Sequence, residues 1–171
     1  MKPILLVMLA VTLVATAACT IFRPVTLNPG ESEDEVVARL GQPTSRYQDN
    51  TDYLLEYAKG PWGQETYMAR FDADGKLLSY EQVLTVQKFG TIQIGKSTKA
   101  DVLRIIGAPG ETSYLPLRDF EVWSYAYKEN DIWNSMMHVH FDKAGVVQQM
   151  LNGPDPRFDP SERFPLRHGR R

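Results

Sequence analysis

One stretch of this chain occurs twice, and that constrains its fold more than any other feature. Gly30 is matched by Gly95 at an offset of 65 residues. Val36 is matched by Val102, Leu40 by Ile106, Gly41 by Gly107 and Pro43 by Pro109, all at an offset of 66. Further on, Tyr57 is matched by Trp123, and the stretch Phe71–Leu77 by Phe141–Val147 at an offset of 70. The added residues fall between these anchors, in loops, where insertions cost little.

Each copy opens on a helix signal. Ser32 and Ser97 are placed to cap it, and Glu35 stands at the capping-box distance from Ser32. Val36, Val37 and Leu40 make one apolar face, as do Val102, Leu103 and Ile106. Gly41 and Gly107 end the helix, and Pro43 and Pro109 forbid its continuation. Three strands are then predicted in each copy: 53–57, 65–71 and 77–86, followed in the second by 121–127, 135–141 and 146–151. Asp74-Gly75 and Ala144-Gly145 provide tight turns between the last two strands. The expectation is an α+β fold of two helix–three-strand repeats, 29–86 and 94–151. One helix over three strands is a thin core, so the repeats are expected to share an antiparallel sheet with the helices on one side. Residues 87–93 should be partly extended. The tail, 152–171, is rich in Pro and Arg and predicts disorder; its basic end serves as a solubilising tail or as a tether for anionic headgroups or wall polymers.

Composition narrows the function. With 43% hydrophobic and 23% charged residues the chain reads as a folded domain, and a net charge of −2 gives no general attraction to nucleic acid. A single cysteine excludes an internal disulfide and a multi-cysteine zinc site. Ile4 to Ala18 is an uninterrupted run of 15 apolar or small residues behind Lys2, too short to span a bilayer and suited to a secretory signal over 1–18. Cys19 follows at once, in a setting that resembles a bacterial lipobox with Thr16 in place of the usual Leu. The alternative is a plain signal peptide that leaves Cys19 as a free thiol. Lipidation would tether the protein through residues 19–28. Thr20, where Asp would retain a lipoprotein at the inner membrane, implies the periplasmic face of an outer membrane.

No catalytic constellation is evident: there is no phosphate-cradling Gly-rich loop, no Gly-x-Ser-x-Gly and no His-Glu-x-x-His. The expectation is a protein that is not an enzyme and needs no cofactor. Asp72 and Asp142 stand at turn entries, where bonding their own backbone explains them. Met137, Val139 and Phe141 should be buried like Tyr67, Ala69 and Phe71. Met136, His138 and His140 then share the open face, equivalent to Thr66, Met68 and Arg70. That open face is solvated, binds a protein, or, through His138 and His140, holds a metal, for which no third ligand is evident and none is assigned. Trp123, Tyr125 and Tyr127 should pack in the core. Trp62 and Trp133 sit in equivalent hairpin loops, each either a lid tucked back or an exposed anchor. Candidate partner-binding residues are therefore Trp62, Met68, Arg70, Trp133, Met136, His138 and His140.

The ordered set Gly-x-Ser/Thr, Val-x-x-x-Leu-Gly-x-Pro, an aromatic strand and Phe-Asp-x-x-Gly, behind a lipobox, resembles the SmpA/OmlA (BamE-like) family of outer-membrane lipoproteins. The resemblance covers about 29–84 and 94–151. It implies an accessory, protein-binding role beside the outer-membrane β-barrel assembly machine and transfers one residue, the lipidated Cys19. The family's unit is usually single. Two in tandem are similar in layout to the β-lactamase-inhibitor-protein fold, which implies the alternative of an inhibitor or sensor of a periplasmic enzyme.

Overall fold

In this computed structural model, which describes residues 26–59 and 63–158, the same order of elements occurs twice. Helix α1 (Glu33–Leu40) precedes strands β1 (Ser45–Asp49), β2 (Asp52–Lys59), β3 (Glu65–Phe71) and β4 (Leu77–Gln82). A short helix, α2 (Val86–Phe89), leads to α3 (Lys99–Ile106), β5 (Glu111–Leu115), β6 (Phe120–Glu129), β7 (Trp133–Phe141) and β8 (Val147–Pro154). A 3-10 turn follows at Pro156–Phe158. Cys19, the signal sequence, Trp62 and the chain beyond 158 lie outside the described residues.

Both longer helices start in a capping box. In α1, Ser32 and Glu35 exchange side-chain-to-backbone bonds; in α3, Thr98 and Asp101 do so. The cap of α3 is thus Thr98, not Ser97, whose hydroxyl accepts from the Gln93 N–H at 2.9 Å. The one-residue insertion falls before the cap, so Ser32 and Thr98 stand 66 apart like the rest of the helix. Thr98→Ala is expected to cost about 1 kcal/mol in a urea melt, and Thr98→Ser only a few tenths.

The strands form two separate four-stranded antiparallel sheets, ordered β1-β2-β3-β4 and β5-β6-β7-β8, and the protein is mostly β. This corrects the shared sheet of three-stranded repeats. The extra strand of each half, β1 or β5, carries Ser-Arg-Tyr-Gln-Asp or Glu-Thr-Ser-Tyr-Leu. Both lie at sheet edges, where no apolar alternation is required, so neither announces itself in sequence. Register also moves one anchor. Tyr57 pairs with Tyr67 and Tyr125 with Met137, so Tyr57 corresponds to Tyr125 and not to Trp123. The β1–β2 connection is two residues and the β5–β6 connection four, which accounts for the shift. The last-strand turns match closely: the Asp72 carboxylate accepts from the Asp74 and Lys76 N–H groups, and the Asp142 carboxylate from Val146.

Helix α1 covers one face of the first sheet through Val36, which packs with Leu55, Tyr57, Ala69, Phe71 and Leu77. Val102 and Ile106 of α3 cover one face of the second with Trp123, Tyr125, Tyr127, Val139 and Phe141. Ala69, Phe71, Val139 and Phe141 are buried as predicted and Tyr67 and Met137 partly so, but Thr66, Met68 and His140, expected on the open face, are buried as well. The other face of the first sheet is not open. Val83 turns inward to Leu54 and Met68 there, while the next residue, Leu84, enters the core of the second half. Helix α3 lies over that face, giving the layer order helix, sheet, helix, sheet. The segment expected to be extended, 87–93, instead begins in α2, capped by Thr85. Asn152–Pro154, assigned from sequence to the disordered tail, complete β8 against β7, with Asn152 opposite Met137 and Pro154 opposite Ser135.

Candidate functional site

The second sheet leaves its far face partly exposed. On it the Ser124 hydroxyl and His138 Nδ1 are 2.8 Å apart, a bond across neighbouring strands. His140 is buried edge-on against Phe120, and its Nδ1 has no partner among the described residues. Burial, then the neighbouring His138 and Arg118, lowers its pKa and keeps the ring neutral. Met136 is half-buried and lines a hollow of about 370 Å³ with Ser124, Ala126, Gly63 and Asp155–Arg157. Among the described residues no three His, Cys, Asp or Glu side chains gather as a metal site would require. The pair His138 and His140 is thus split: one ring is tied to Ser124 and the other buried.

Trp133 begins β7 at the tip of a hairpin in which Asn130 and Asp131 both adopt positive φ. That turn directs its own apolar residues outward: Ile132 is 68% and Trp133 67% exposed. The neighbouring Asn134 amide accepts from Gln64 of the first half at 2.9 Å, so the hairpin is braced from behind while its tip is free. Trp133 is therefore exposed and not tucked back as a lid.

Met68 and Arg70 are elsewhere. Met68 is buried, correcting its placement on an open face, because α3 roofs the first sheet there. Between roof and sheet lies a cleft of about 530 Å³. Its floor is Leu54, Met68 and Val83, with Ile105 opposite. Arg70 Nη1 meets Asp49 at 2.6 Å and Asp52 at 3.7 Å; Arg104 Nη2 meets Asp101 at 2.5 Å, and its Nε lies 3.8 Å from Asp49. Lys88 meets Glu81 at 2.7 Å on the far wall.

One buried acid ties α3 to the first sheet outside the cleft lining. Glu56 is 2% exposed and has no ion-pair partner among the described residues; its carboxylate accepts from Tyr47 Oη at 2.5 Å and from the Ala108 N–H at 3.3 Å. Burial raises its pKa, partly offset by those two bonds. The sequence reading missed Glu56 and all the cleft charges except Arg70. The available signal was an acid inside the apolar run Tyr53-Leu54-Leu55-Glu56-Tyr57-Ala58, since an acid buried on a strand requires a partner from outside it.

No family model and no curated protein matches the chain. Among solved structures it is similar to a DUF4309 family protein (YjgB) from Bacillus subtilis subsp. subtilis str. 168. That similarity is at 13% identity and a TM-score of 0.32, over 73% of this chain and 79% of that one.

Proposed function

We propose that the chain is a non-enzymatic outer-membrane lipoprotein that holds another envelope protein. In this reading two SmpA/OmlA-like units stand in tandem on a lipid at Cys19, and the partner belongs to the β-barrel assembly machine. The observation that carries the binding role is the Ile132–Trp133 tip. Two large apolar side chains, each about two-thirds exposed, cap a hairpin braced by Gln64 at Asn134. An exposed tryptophan on a rigid element is the usual anchor of a protein interface, and single anchors of this kind carry about 2 kcal/mol or more of binding. A protruding tip also suits entry into a partner's cleft, which favours the second reading, an inhibitor or sensor of a periplasmic enzyme.

A photo-crosslinking residue at position 132 in the full-length protein, expressed in its own envelope, separates the two. Adducts with an assembly-machine component support the scaffold; adducts with a soluble enzyme support the inhibitor; no protein adduct rejects both. Trp133→Ala is expected to lower recovery of the adduct about tenfold or more. Cys19→Ala should move the protein from the membrane to the soluble fraction, and persistence in the membrane would reject the anchor.

A further inference from the structure

We propose that the cleft between the first sheet and α3 binds a short zwitterionic peptide, one with a free amino end, a free carboxylate end and apolar side chains. The cleft is of a size that encloses small ligands, which occupy about 300–1,000 Å³. Its charges are balanced: Arg70, Lys88 and Arg104 face Asp49, Glu81 and Asp101. A ligand carrying one sign would leave a charge unpaired on entry; a zwitterion exchanges partners and leaves none.

The positions fit such an exchange. The Asp49 carboxylate already sits between two guanidinium groups, Arg70 at 2.6 Å and Arg104 at 3.8 Å, one from each half of the chain. It marks where a ligand carboxylate is held. Asp49 ends β1, and Asn50 beside it turns at positive φ, so its side chain belongs to a surface turn and can yield. The amino end then meets Glu81, which lines the cleft and is held now by one ion pair, with Lys88, whereas Asp101 stays committed to the helix cap and to Arg104. Ser79 and Thr91 offer hydroxyls to the peptide link, and Leu54, Met68, Val83 and Ile105 receive the apolar side chains.

The fold itself does not demand these charges. By register, the positions in the second half that correspond to Asp49, Met68 and Arg70 are Leu115, His138 and His140. The same architecture is therefore built there without the ion-pair chain. The proposal stands independently of the envelope partner.

Calorimetric titration of the full chain with Leu-Leu tests it, beside the doubly blocked N-acetyl-Leu-Leu amide. Leu-Leu is expected to bind, and the blocked peptide to bind about tenfold or more weakly. Arg104→Gln should weaken Leu-Leu by a similar factor while the thermal melt stays in place. Glu81→Gln, on the exposed wall, gives the same readout should the arginine variant not fold. No heat with Leu-Leu at about 10 mM overturns the proposal. So does equal affinity for the blocked peptide, or binding indifferent to both variants.

Discussion

Gly107→Ala is expected to destabilise the protein by about 3–5 kcal/mol, and Gly41→Ala by only about 1–3 kcal/mol. Both glycines end a helix in one conformation, φ 86°, ψ −170° at Gly41 and φ 82°, ψ −169° at Gly107. A side chain strains that backbone equally at both. Their surroundings differ. A Cβ on Gly41 would meet nothing within 4 Å. On Gly107 it would lie 3.0 Å from the Glu56 carboxylate and 3.1 Å from Thr66 Cγ2. Glu56 cannot swing away without releasing Tyr47 and the Ala108 N–H. The difference between the two variants in chemical denaturation therefore measures how tightly α3 is seated on the first sheet. Equal losses would mean that the contact is not made in solution.

Glu56→Ala should cost about 2–4 kcal/mol, because it leaves the half-buried Tyr47 hydroxyl and the Ala108 N–H without their acceptor and opens a void beside Gly107. The pH dependence is more specific. Burial raises the Glu56 pKa, so the folded protein holds that proton more tightly than the unfolded chain does. The resulting stabilisation is complete below the unfolded value of about 4.3 and is lost as pH rises through the folded value. Glu35 and Asp101 act in the opposite sense. Capping bonds lower their pKa values, and what they contribute disappears as pH falls. Glu56→Gln retains those acids and removes only the first effect. Wild-type stability minus that of Glu56→Gln is thus expected to decline as pH rises from about 4 and to level off once pH passes the folded value. A flat difference would place the Glu56 carboxylate in water.

The repeated helix was legible because every part of it is local. A capping side chain, a 3.6-residue apolar face and a terminating Gly with Pro two residues on all lie within a dozen positions. Even there, two adjacent hydroxyl residues, Ser97 and Thr98, competed for the cap, and spacing alone chose the wrong one. Trp123, Tyr125 and Tyr127 were readable as core, as were Ala69, Phe71, Val139 and Phe141, from alternation on paired strands. What alternation does not carry is the layer beyond. Whether Met68 looks onto water or onto α3 depends on where a helix more than 30 residues later comes to rest. Glu56 and Ala108 meet across 52 residues of chain for the same reason. Trp133 was placed correctly in a hairpin, but its outward direction follows from the positive φ of Asn130 and Asp131, a choice these residues tolerate without advertising it.

The layer order makes the two halves unequal in folding autonomy. The C-terminal half carries its own helix over its own sheet, whereas the N-terminal half completes a sheet whose far side, Leu54, Met68 and Val83, stays bare until α3 arrives. Synthesis delivers the N-terminus first. The dependent half therefore emerges before its cover, and during that interval the nascent chain displays a greasy strand surface that only continued translation can conceal.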